Sequence, residues 1–147
     1  MRQKVINLLN EARSRELNAI NQYMIHHYEL EDKDFGKLAS KIKEIAIAEM
    51  KHAEKLAERL NYLNGVPGIK PDPIFVGGSL IEMLKQDEQD EEESIVLYRR
   101  AIQVASEEGD FTTRCLLEEI LSEEETHIDT FGKLLVGMTS PFTQPGL

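Results

Sequence analysis

The chain has no tryptophan, and only nine of its 147 residues are aromatic (Tyr 4, Phe 5), so any core it builds must be aliphatic. A single cysteine, Cys115, excludes an internal disulfide and a cysteine-rich metal site. No apolar run approaches the roughly 18 residues that a membrane-spanning helix needs. The opening MRQKVINLLNEARSRE reads as a polar amphipathic helix and not as a signal peptide. Basic residues are also scarce: 17 Lys and Arg against 27 Asp and Glu give a net charge of -10. Binding to duplex nucleic acid needs clustered Lys and Arg, so nucleic acid is not an expected partner. A membrane is not expected either, and the cytoplasm is the expected location. What remains is a soluble globular composition, 41% hydrophobic and 30% charged, of a length that suits one domain.

Helical spacing dominates. Val5, Leu8, Leu9, Ala12, Ala19, Ile20, Tyr23 and Met24 mark one apolar stripe, predicting a helix from about 3 to 31. Asp32-Lys33-Asp34 is a short polar connection whose acids suit capping of a second helix, from about 35 to 64. Asn64-Gly65-Val66-Pro67-Gly68 should stop that helix. Proline and glycine gather in 65–78, which holds three of the five prolines; fourteen residues exceed what a helical hairpin needs, so this stretch reads as a crossover. Ser79 and Glu82 form a capping box that opens a third helix to about Glu108, Gly109-Asp110 turns, and a fourth helix runs from about Phe111 to Val136. The expectation is a bundle over 1–137 and a short irregular tail over 138–147, without a fifth helix.

Two tetrads stand out, Glu49-Met50-Lys51-His52 and Glu124-Glu125-Thr126-His127. Residues at i and i+3 share a helical face about 5–6 Å apart, so each Glu and His can reach one point. Glu16 precedes Glu49 by 33 residues, and Glu91 precedes Glu124 by 33. A tyrosine follows each lone acid by seven residues, Tyr23 and Tyr98, and a single shift of 75 residues carries Glu16, Tyr23, Glu49 and His52 onto Glu91, Tyr98, Glu124 and His127. One Glu-x-x-His in so acidic a chain is weak evidence. Four acids on apolar stripes, in register under one shift, are harder to explain without a bound cation. Glu from two helices plus Glu-x-x-His from two others is the inward-facing arrangement of di-iron or di-manganese bundles with a single crossover, the ferritin-like topology.

Four carboxylates with neutral imidazoles carry four negative charges, which two divalent ions cancel. The donor set suits iron or manganese, with zinc as a further occupant. Glu88 competes with Glu91, since its neighbours Ile81 and Ile95 are apolar; the 75-residue repeat favours Glu91. Glu92, Glu93, Glu123 and Glu125 read as solvated acids. Tyr23 is a core tyrosine with its hydroxyl bound to a ligand carboxylate, or a redox-active one. His26 and His27 read as surface residues or as lining an access route.

Together these stretches resemble bacterioferritin. The matching segments are Glu16-Leu-Asn-Ala-Ile-Asn-Gln-Tyr23, Ala48-Glu-Met-Lys-His-Ala-Glu-Lys55, Leu63-Asn-Gly-Val-Pro67, Glu82-Met-Leu84 and Glu118 to Asp129, within a similarity spanning about 2–136. The resemblance implies that Glu16 and His52 bind one iron, Glu91 and His127 the other, and that Glu49 and Glu124 bridge them. It implies a ferroxidase oxidising Fe2+ with O2 or H2O2 and feeding a ferric mineral. It also implies a b-type haem shared between two subunits through Met50, which helical geometry turns about 100° away from Glu49. Ala46, Ala53 and Ala57 are expected to flank Met50 as a face open to a flat ligand or a second subunit; the competing reading, less favoured, is a methionine packing in a plain dimer interface. The family implies a homo-oligomer, a dimer or a 24-subunit cage, with a ferredoxin-type donor to release iron. The missing fifth helix leaves a non-storing dimeric di-iron peroxidase or oxidase as the alternative.

Overall fold

A computed structural model describes residues 2–75 and 78–139. Among these residues there are four helices and no strand: α1 (Arg2–Asp32), α2 (Gly36–Tyr62), α3 (Leu80–Glu107) and α4 (Phe111–Thr139). The expected four-helix, one-crossover bundle is the observed fold. α4 runs through Gly137 to Thr139, so 138–139 belong to the helix and not to the expected tail; 140–147 lie outside the described residues.

Three of the helix ends share one device. At α1, Asp34 takes a left-handed conformation (φ 67°), its N–H reaches Glu31 O at 3.2 Å, and Phe35 N–H reaches Leu30 O at 2.9 Å. α2 repeats this with Asn64 (φ 61°) and a 2.8 Å bond from Gly65 N–H to Leu60 O, and α3 with Gly109 (φ 74°) and a 2.8 Å bond from Asp110 N–H to Ala105 O. These are Schellman closures, which satisfy carbonyls left open at a helix end. The expectation that Asp32 or Asp34 would cap α2 fails for this reason. Asp34 is committed to ending α1, and α2 starts at Phe35 with no side-chain cap. The capping box of Ser79 and Glu82 forms as expected, with bonds of 3.2 and 3.1 Å.

α1 packs on α2, α3 packs on α4, and α1 also meets α3, while the backbones of α2 and α4 stand farther apart and meet through long side chains. Two apolar clusters fill the two ends of the bundle. One gathers Leu9, Ala12, Leu56, Leu60, Tyr98, Leu117 and Ile120, and the other Ala19, Tyr23, Leu30, Ile42, Ala46, Leu84 and Phe131. On every helix the gap between the clusters falls at the proposed ligands. Glu16 lies between Ala12 and Ala19, and Glu49 and His52 lie between Ala46 and Leu56. The crossover lies along α1, whose polar side chains hold it. Asn10 donates to Val66 O and accepts from Gly68 N–H (2.8 Å), Arg13 donates to Gly68 O (2.8 Å), and Asn18 donates to Pro73 O (2.6 Å).

Candidate metal centre

All six residues Glu16, Glu49, His52, Glu91, Glu124 and His127 converge in the middle of the bundle, and all six are buried. They form two overlapping groups, Glu16–Glu49–His52–Glu124 and Glu49–Glu91–Glu124–His127, in each of which one donor atom per residue lies within 4.8 Å of the others. Glu49 and Glu124 belong to both. The pattern obeys the internal repeat: His52 Nδ1 is 2.8 Å from Glu124 Oε1, and His127 Nδ1 is 2.7 Å from Glu49 Oε1. The tyrosines cross over as well. Tyr23 on α1 donates to Glu91 on α3 at 2.7 Å, and Tyr98 on α3 donates to Glu16 on α1 at 2.5 Å.

Burial of so many acids has electrostatic consequences. Burial first, then repulsion from Glu16, Glu91 and Glu124, pushes the Glu49 carboxyl well above its usual range. Glu91 is pushed up in the same way, by burial and by Glu124. Glu124 moves the other way: burial opposes its charge, but the close approach of Glu91, His127, His52 and Glu49 holds it well below. Burial works against the His52 cation, yet Glu124 and Glu16 raise it to about 10. The group therefore retains protons that a cation would have to displace.

Hydrogen bonding leaves donors over. Glu16 Oε2, Glu49 Oε1, His52 Nδ1, Glu91 Oε2, both Glu124 oxygens and His127 Nδ1 are buried without a hydrogen-bond partner. Buried polar atoms are rarely left unpaired. Here the unpaired atoms all face one another, and their chemistry, carboxylate with imidazole, fits a pair of divalent ions.

The competing acids separate clearly. Glu88 is half-buried, with its carboxylate near Gly132 of α4, and belongs to neither group, whereas Glu91 belongs to the second. Glu92, Glu93, Glu123 and Glu125 are exposed as expected, but the Glu123 carboxylate reaches the outer nitrogen of His52.

His26 and His27 are a correction: both are buried. α2 folds back directly after α1, so His27 Nδ1 meets Ala39 O at 2.6 Å, while His26 Nδ1 meets Asp87 Oδ2 on α3 at 2.9 Å. Around His26 lies a second polar cluster that the sequence hid. Gln22 donates to Asp87 (3.0 Å) and to Asp90, and Arg15 pairs with Asp90 and Glu93. Asp87 and Asp90 sit in an acid-rich stretch; the position of Asp87 one turn from Leu84 and Glu91 could have marked it as inward, and nothing comparable marked Asp90.

Met50 is 53% exposed, so it does leave the bundle core. Its expected neighbours are a second correction. Ala46 and Ala53 are buried within the bundle, Ala57 is half-buried, and Ile47 is the exposed residue beside Met50.

The Ferritin-like domain family matches residues 6–139. The bacterioferritin of Desulfovibrio desulfuricans is 42% identical over 126 residues, 85% of this chain and 70% of that protein. Its crystal structure, in a series that follows the diiron site through different catalytic states, superimposes with a TM-score of 0.91, covering 93% of this chain and 81% of that one at 38% identity. Rhodobacter capsulatus bacterioferritin, solved with a metal-free dinuclear site and with haem iron in a crystallographic special position, gives 0.90 at 36% identity, covering 92% of this chain and 86% of that one. This chain belongs to the bacterioferritins, within the ferritin-like family.

Proposed function

We propose that this chain oxidises Fe2+ with O2 or H2O2 at a di-iron centre within one subunit and stores the ferric product. One observation carries the reading: seven orphaned donor atoms of six buried residues face one another in two groups that share Glu49 and Glu124. Glu16 and His52 would hold one ion and Glu91 and His127 the other, with Glu49 and Glu124 shared between them. Two adjacent ferrous ions supply two electrons together, which avoids one-electron reduction products of dioxygen. The chain's own residues do the rest. Tyr23 and Tyr98 orient the terminal carboxylates Glu91 and Glu16, and burial keeps both phenols protonated at neutral pH. Glu49 and Glu91 hold protons that leave as cations enter. Tyr23 packs on Phe131 at 5.5 Å, donates its hydroxyl to Glu91 and is assigned a redox role. Manganese or zinc would fit the same donors.

Met50 is the residue that would hold a b-type haem shared by two subunits. Its exposed thioether beside Ile47 offers a soft donor on an apolar face. Further exposed apolar side chains, Tyr28 on α1, Val66, Ile69 and Phe75 on the crossover and Val136 on α4, suit a homo-oligomer. Released iron would need an electron donor of the ferredoxin type. No helix among the described residues is long and apolar enough to cross a membrane, and the cytoplasm is the proposed location.

The test is aerobic addition of Fe2+ to purified protein, with oxidation followed by absorbance and particle mass by light scattering. A fast phase saturating near two Fe2+ per chain, then slower mineral growth in a particle of about 24 chains, is expected. A dimer of about 34 kDa, twice the 16.8 kDa chain, that builds no mineral would replace storage with a non-storing peroxidase or oxidase.

A further inference from the structure

The six ligands and the two tyrosines of the halves match under the internal repeat, but the outer partner of the histidine does not. His52 turns Nδ1 toward Glu16, Glu49 and Glu124, and its outer nitrogen, Nε2, meets the Glu123 carboxylate. Under the 75-residue shift that relates the halves, His127 takes the place of His52, and the position equivalent to Glu123 is Ala48. An alanine brings no carboxylate to His127. The difference shows in solvent access too: the His52 side chain is fully buried, while that of His127 is 11% exposed.

A carboxylate on the far nitrogen of a ligating histidine fixes the tautomer and ring orientation, and it makes the ligating nitrogen more basic. Glu123 is placed for this, its carboxylate lying against Nε2 of His52. Its own side chain is 53% exposed, so it is not itself a buried ligand.

We infer that Glu123 is a positioning residue for His52, making the Glu16–His52 position the tighter of two unequal cation positions. This rests on the metal-centre reading above, and the test separates the two. Anaerobic Co2+ titration of the full-length protein, followed by the visible spectrum, reports each position without turnover. The wild-type chain should bind two Co2+ with distinguishable affinities. In Glu123→Ala the tighter should weaken by about 10–100-fold, the range typical of lost outer partners of a ligand, with the weaker one unchanged. Glu123→Gln, whose amide oxygen can still accept from Nε2–H, should fall between. Both replacements lie on an exposed side chain, and a thermal melt of each checks that the fold is intact. Glu123→Ala retaining both affinities, or weakening both alike, overturns the inference and leaves the metal centre standing. A wild-type chain that binds no Co2+ pair removes the metal centre itself.

Discussion

At the scale of single residues, the centre is a set of buried charges that cannot all be ionised together. Stripped of metal, the folded chain binds more protons than the unfolded one. His52 is raised from 6.5 to about 10, so the stability it lends is complete below pH 6.5 and is lost as pH rises toward 10. Glu49 and Glu91, raised above 4.5, act in the same direction, since their ionised forms are disfavoured only in the folded state. Glu124, held low, contributes at every pH above 4.5 and is lost only on acidification below it. The melting temperature of metal-free protein should therefore fall between about pH 6.5 and 10. Metal-loaded protein should show no such fall, because its ligands are already deprotonated; parallel profiles would refute the assignment. The tyrosines give a second residue-scale expectation. Tyr98→Phe removes the hydroxyl that satisfies Glu16 and should cost about 1–3 kcal/mol in denaturant unfolding. Tyr23→Phe should cost a similar amount through Glu91, and should also slow oxidation if Tyr23 is redox-active. At Met50, replacement by Leu should abolish the Soret band shift of added haemin while leaving Fe2+ binding intact.

At the scale of elements, periodicity and spacing made much of the chain readable. The apolar stripes place the helices to within three residues, and the 75-residue shift singles out Glu91 over Glu88, as the burial of the two agrees. Glu-x-x-His was readable because a buried acid conflicts with its stripe unless something neutralises it. Other features were not readable, for physical reasons. Asp34 sits in a polar turn where either of two helices could claim it, and only backbone conformation shows that it closes α1. His26, Asp87 and Asp90 are buried by packing between α1 and α3, and no local pattern reports which face of α3 meets α1. Ala46 and Ala53 neighbour Met50 by helical spacing, and only packing shows that they are buried while it is exposed. The crossover offers an element-scale test. Asn10 bonds both Val66 and Gly68, so Asn10→Ala should speed proteolytic cleavage within 65–75 severalfold with little change in the melting temperature. A large drop in melting temperature would mean that the crossover is part of the cooperative core.

At the scale of the whole molecule, the bundle has two apolar ends separated by a polar waist. The backbones of α2 and α4 stand apart, and the room between them is where their Glu-x-x-His pairs meet each other and the acids of α1 and α3. Cations at the waist would join all four helices, so loading should stabilise the entire fold and release protons. The most direct test is the stoichiometry of Fe2+ bound under strict exclusion of oxygen, measured by calorimetry on the wild-type chain and on Glu49→Ala. Two Fe2+ per wild-type chain, falling to one or none when the shared Glu49 is removed, is the predicted result. A wild-type chain that binds fewer than two, or a Glu49→Ala chain that still binds two with unchanged affinity, would contradict the di-iron centre.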